Sequence, residues 1–161
     1  MSESPAPAQG THGPGAAASP SEGGDPSGAA LAEALSAEHA AVYGYEFVGG
    51  AADDKKRRER ASSSAHEHKA LRDALHAASV ERGMDPPAAL ASYPLPEGRG
   101  DGAMDGFAVG LEHTTMSAYL WLSASDDTDL RVTAARALQE ATVRSLEWDA
   151  ALDPLPGFER G

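Results

Sequence analysis

Apolar positions along the chain recur at helical rather than strand spacing, in four successive blocks. In the first, Leu31, Leu35, Val42 and Tyr45 follow at steps of four, seven and three, so they share one stripe of a helix that ends near Gly49-Gly50. Glu38 lies in the middle of that stripe. Asp25 or Ser27 can cap this helix, and Pro26 suits its first turn. The second block starts behind Asp53-Asp54, turns Ala61, Ser64, His68, Leu71, Leu75 and Ala78 to one side, and ends at Gly83 with Pro86-Pro87 beyond. His68 therefore points inward, whereas His66 and His76 fall off the stripe and read as surface residues.

The third block, over about residues 103–123, is apolar around most of its circumference and predicts the most buried helix: Met104, Phe107, Leu111, Leu120, Trp121 and Leu122 all lie on it. Val109, Glu112, Met116 and Tyr119 share one of its stripes, which embeds a second glutamate among apolar neighbours. A polar turn leads to a fourth helix that turns Leu130, Ala134, Ala137, Ala141, Ser145, Trp148 and Leu152 inward and stops at Asp153-Pro154. Glu140, Arg144 and Glu147 flank this face and read as ion pairs at the rim.

The connections run short, long, short. The long one, residues 84–102, is rich in proline and glycine, with room for at most one turn of helix near residues 88–92. At roughly 3.3 Å per extended residue it can travel the ~30 Å length of a twenty-residue helix, so helices two and three can run parallel. Two helix pairs joined by such a crossover have the ferritin-like four-helix-bundle topology, and the fold class expected is all-α of that kind. Residues 1–27 are rich in Pro, Gly, Ser and Ala and contain no Leu, Ile, Val, Phe, Tyr or Trp. Such a segment cannot offset its ordering entropy and is expected to be a disordered tail, with His12 inert inside it. The expected domain is residues 28–153, followed by a C-terminal tail, 154–161.

Thirteen Lys and Arg stand against twenty-five Asp and Glu, a net charge of -12, which argues against nucleic acid and anionic membrane surfaces as partners. The basic run Lys55, Lys56, Arg57, Arg58 and Arg60 is expected to be a solvated face with i,i+4 pairs from Asp53 to Arg57 and from Asp54 to Arg58. The chain has no cysteine, which excludes disulfides, thiolate metal sites and cysteine nucleophiles. No signal-like start and no apolar run of membrane-spanning length is visible, so a cytoplasmic location is expected.

Candidate chemistry rests on an internal match. Glu38-His39 is followed by Val42 and Tyr45, and Glu112-His113 by Met116 and Tyr119, at the same offsets on helices one and three. In ferritin-like bundles these two helices each place one inward carboxylate at a central site. Two buried carboxylates need partners, because each costs several kcal/mol if left alone. Glu38, His68 and Glu112, with Glu140, form a donor set that suits iron, manganese or zinc. A full dinuclear site also needs Glu-x-x-His on helices two and four, and Ala65, Ser63 and Val143 stand where those ligands belong. The competing reading is a polar core in which the glutamates accept hydrogen bonds from His68, Arg144, Tyr45 or Tyr119 and set helix register. No phosphate loop, catalytic triad order or zinc-hydrolase motif is present, and no catalytic residue is expected.

The runs AEHAAVYGYEFVGG, HKALRDAL, LEHTTMSAYLWL and QEATVRSLEWDAAL, with the proline-rich crossover, resemble an uncharacterised ferritin-like family found mainly in actinobacteria. The resemblance covers roughly residues 31–152. It implies a ferritin-like fold and carries no established activity, while classical ferritin-like proteins store iron or use di-iron and di-manganese centres. Three functional readings follow. The first is a non-enzymatic homodimeric bundle that binds a small ligand or protein partner or is structural. The second is a metal-binding protein with iron or manganese on Glu38, His68 and Glu112. The third is an adaptor whose acidic bundle or tail docks to a larger assembly.

Overall fold

The computed structural model describes residues 25–150. The expected N-terminal tail up to residue 24, the C-terminal tail and Leu152 lie outside the described residues. Four helices make up the architecture, α1 (Pro26–Ala51), α2 (Lys55–Glu81), α3 (Asp101–Leu122) and α4 (Thr128–Glu147), and no strand occurs among the described residues. The fold is a four-helix bundle. None of these helices is long and apolar enough to cross a membrane.

Local chemistry sets most of the ends. Asp25 caps α1 by accepting from the Ser27 amide, Asp54 caps α2 through the Arg57 amide, and Asp127 caps α4 through the amides of Asp129 and Leu130. Gly83 takes φ +70°, a conformation that suits glycine, and lets the Met84 amide turn back onto the Ser79 carbonyl to close α2. The fourth helix ends earlier than its apolar spacing predicts. Asp149 enters the left-handed region at φ 72°, and the Ala150 amide bonds back to the Ser145 carbonyl, so the chain turns away after Glu147.

Helix α1 packs on both α2 and α3, and α3 packs on α4. Contacts between paired residues fix the directions. Glu38 meets His68 while Gly49 faces Ala61, so α1 and α2 are antiparallel. Tyr45 reaches Ala108 while Tyr119 reaches Glu38, so α1 and α3 are antiparallel too, and Arg144 on Glu112 with Thr142 on Met116 orients α4 against α3. Helices α2 and α3 consequently run parallel, and the connection between them travels the length of the bundle. It does so along α1. His39 bonds the Pro87 carbonyl, Tyr43 packs on Tyr93 at 5.4 Å, and the Arg99 guanidinium sits 4.7 Å from the Phe47 ring. These three α1 positions are four residues apart and form one outer stripe. The crossover contains no helical turn; the Leu90 amide bonds the Tyr93 hydroxyl instead.

This strap changes which helix is most buried. The sequence predicts α3, but α1 buries more residues, because α2, α3 and the crossover cover it on three sides. Helix α3 keeps an open face, on which Trp121 is 49% exposed. Gly44 marks a close α1–α3 approach, where a Cβ would lie 2.5 Å from Leu111 Cδ1. The core forms two apolar clusters. One gathers Leu31, Leu35, Leu75, Leu122 and Leu130, and the other Tyr45, Val48, Met104 and Trp148. A polar layer separates them.

Candidate functional site: a buried polar layer across four helices

The layer forms because Glu38, His68 and Glu112 each occupy an inward stripe at mid-helix and cannot reach water. All three are fully buried, as are Tyr45 and Tyr119. His68 stands between the two glutamates. Its Nδ1 is 2.7 Å from Glu38 Oε2 and its Nε2 is 3.1 Å from Glu112 Oε1. Each tyrosine serves the glutamate of the other helix: Tyr119 donates to Glu38 Oε1 at 2.5 Å, and Tyr45 donates to Glu112 Oε1 at 2.6 Å. The shared seven-residue spacing from glutamate to tyrosine thus becomes a reciprocal exchange, since antiparallel helices put position 45 opposite 112 and 119 opposite 38.

Arg144 completes the set from α4. Its Nε donates to Glu112 Oε1 and its Nη1 to Glu67 Oε2, each at 3.1 Å. Its flanking position suggests a rim ion pair and the polar-core reading a donor to the glutamates; Arg144 is buried, because α4 sets its last turn on the layer, where it gives Glu112 a counter-charge. Glu140 lies exposed on α4, outside the hydrogen-bonded set, and acts on Tyr119 through its charge. Glu67 was not singled out by any stripe. Its carboxylate is half-exposed, and the hint for it is its position one turn before Leu71 on the flank of His68.

Electrostatics follows from this packing. Burial alone would depress the His68 pKa, but hydrogen bonds and charge from Glu112 and Glu38 outweigh it and raise the group to about 9. Burial would raise Glu112, yet His68 and Arg144 hold its carboxyl below the usual range. Desolvation, then the adjacent carboxylate, pushes both tyrosine hydroxyls upward, so Tyr45 and Tyr119 stay protonated donors. Arg144 is raised because the charges and bonds of Glu112 and Glu67 exceed its burial cost. Two carboxylates in the layer are matched by one imidazolium and one guanidinium. The His68 ring also stacks on Tyr45 at 5.3 Å, and Tyr45 packs on Trp148 at 5.8 Å.

Among the described residues, three buried polar atoms have no protein partner: Glu112 Oε2, Arg144 Nη2 and Trp148 Nε1. Two of them belong to the Glu112–Arg144 pair, which is joined through the Nε side of the guanidinium. No group of three or more His, Asp or Glu side chains among the described residues is arranged to hold a metal ion. Both His68 nitrogens face a carboxylate at hydrogen-bond distance, so each carries a proton to share and neither offers a lone pair to a cation.

The basic run of α2 is arranged differently from its expected i,i+4 pairs to Asp53 and Asp54. Arg57 crosses to α3 and holds Asp101 and Asp105, Arg58 donates to the Ala52 carbonyl, and Arg60 donates to the Glu147 carbonyl and lies over Trp148. These arginines tie helix ends together. The reason is reach: a guanidinium spans to the neighbouring helix, where carboxylates or terminal carbonyls lack other donors.

Comparison with known proteins adds a family and a structural neighbour. A family model described as a domain of unknown function (DUF4439) matches residues 30–160. The crystal structure of a conserved hypothetical protein from Mycobacterium tuberculosis superposes with a TM-score of 0.73 at 28% identity, covering 80% of this chain and 98% of that one. No curated protein matches the sequence.

Proposed function

The chain belongs to the DUF4439 family, and from that premise we propose that it is a non-catalytic, homodimeric helical module whose buried Glu38–His68–Glu112 layer is a structural polar core. One observation carries the reading. Both nitrogens of His68 and both tyrosine hydroxyls are committed to the two glutamates, with Arg144 supplying the second positive charge. A site of that kind is already neutralised and hydrogen bonded, so it specifies helix register and leaves no group poised to act on a substrate. A ferritin-like ancestry is part of the proposal. It is supported by the lengthwise crossover and by the paired glutamates on α1 and α3.

The metal reading, with iron or manganese on Glu38, His68 and Glu112, keeps one point in its favour: Glu112 Oε2 is buried without a protein donor. A guanidinium beside the same carboxylate opposes a cation there. Elemental mass spectrometry decides between the two, on wild type and Glu38→Ala prepared from cultures supplemented with iron, manganese and zinc. The polar-core reading expects far less than one metal per chain in both proteins. Near-stoichiometric metal in wild type that disappears in Glu38→Ala would overturn it.

The homodimer is supported by the apolar residues that α4 leaves in solvent, Val132, Val143 and Leu146, each more than 40% exposed. Sedimentation equilibrium is expected to return twice the chain mass at micromolar concentration, and a monomer there would remove this part of the proposal. A cytoplasmic setting, free of nucleic acid and membrane partners, rests on the sequence expectations and net charge.

A further inference from the structure

Behind Tyr45, on the solvent side of the polar layer, α1 and α2 part to leave a groove of about 460 Å³ lined by Tyr45, Glu46, Gly49, Arg58, Ala65 and Lys69, with Ser62 and His66 completing its α2 wall. Arg58, Ser62, His66 and Lys69 follow at steps of four, four and three, so they form a single stripe of α2 facing the groove. This stripe is not part of the buried layer, which uses none of the four.

Two features make it a built surface rather than scattered surface charge. Its terminal cations are held in place: Arg58 Nη2 donates to the Ala52 carbonyl at 2.8 Å, and Lys69 Nζ pairs with Glu46 at 2.7 Å. They stand about 16 Å apart along the helix, with His66 between them. Moreover, Gly49 leaves the wall open, since a Cβ there would meet nothing closer than Ala61 Cβ at 3.5 Å. The floor is apolar, made of Tyr45 and Ala65, both buried. With Lys69 paired to Glu46, the Arg58 guanidinium leaves the groove net positive on a molecule of net charge -12. A concave wall of net positive charge raises the local concentration of small anions.

We propose that this α1–α2 groove binds a small organic anion, its phosphate at the Arg58–Ser62 end and its apolar body along the groove beside Gly49 and Ala65. A guanidinium and a hydroxyl at one end recognise a multi-oxygen anion well, and the apolar floor adds selectivity against inorganic ions. The site is independent of whether the buried layer is structural or holds metal.

The test is an NMR titration of the full ¹⁵N-labelled chain with phenyl phosphate, inorganic phosphate and benzyl alcohol as probes. Shifts confined to residues 45–50 and 58–69 are expected with phenyl phosphate, weaker ones with phosphate, and none with benzyl alcohol. Arg58→Ala is expected to weaken phenyl phosphate binding roughly tenfold, the loss of one charge-assisted contact. Because Arg58 also holds the end of α1, Gly49→Leu provides a second probe that fills the groove and leaves both cations in place. It is expected to abolish the shifts while the amide spectrum stays folded. Shifts spread over every basic surface residue, equal binding of benzyl alcohol, or a Gly49→Leu variant that binds like wild type would each overturn the proposal.

Discussion

Replacing His68 with leucine probes the layer at the residue that touches both glutamates. Leucine fills a similar volume, so the packing loss is small, and what remains is the removal of donors from two buried carboxylates. Breaking a buried ion pair by deleting one partner costs about 3–5 kcal/mol, because the other charge is left uncompensated. At pH 6 the variant is therefore expected to unfold roughly 10–20 °C below wild type, for a domain of this size. The pH profile separates a charged from a neutral histidine. His68 has a folded pKa of about 9, above its usual 6.5, so its contribution is complete below pH 6.5 and is lost as pH rises through 9. A shift of that size corresponds to about 3 kcal/mol. Glu112 is shifted the other way, so its contribution is present above the ordinary carboxylate range and fades as pH falls through its lowered value. Urea unfolding of wild type and His68→Leu between pH 6 and 9.5 should accordingly show two curves that converge as pH rises. Parallel curves, or a variant as stable as wild type at pH 6, would refute a charged His68 bridging the two glutamates.

Other expectations come from asymmetries in the same geometry. Tyr119→Phe should cost more than Tyr45→Phe, within the roughly 1–3 kcal/mol range for an unsatisfied buried acceptor, because Glu112 Oε1 keeps His68 and Arg144 whereas Glu38 Oε1 receives Tyr119; chemical denaturation of both variants gives the order. Gly44→Ala gains about 1 kcal/mol of helix propensity but drives a methyl into Leu111, an overpacking cost of about 1–3 kcal/mol. Net destabilisation is expected in wild type and net stabilisation in a Leu111→Ala background, and the same sign in both would contradict the close α1–α3 approach. Arg57→Ala should lower stability by about 1 kcal/mol, with the effect shrinking as salt screens the partly exposed pairs to Asp101 and Asp105; thermal melts at low and high salt measure it.

Four helices, the capping aspartates Asp25 and Asp54, the lengthwise crossover and the inward positions of Glu38, His68 and Glu112 are all legible in the sequence, since each depends on local spacing; the Asp127 cap is not. A stripe at helical period says which side of a helix faces the core, and a cap says where the helix starts. Neither says which residue on one helix meets which on another. The reciprocal bonds from Tyr45 to Glu112 and Tyr119 to Glu38 required the antiparallel direction of α1 and α3. For Arg144 two readings stay open in the sequence, a rim ion pair and a donor to the glutamates, because a charged residue beside a stripe reads as solvated unless the neighbouring helix presents it with a buried carboxylate. The crossover made α1, rather than α3, the most buried helix, and Arg57, Arg58 and Arg60 found partners outside α2 rather than one turn away. Periodicity along one chain determines burial and element type, whereas long side chains choose partners by three-dimensional proximity and by the cost of leaving a buried charge alone. That choice belongs to the tertiary structure.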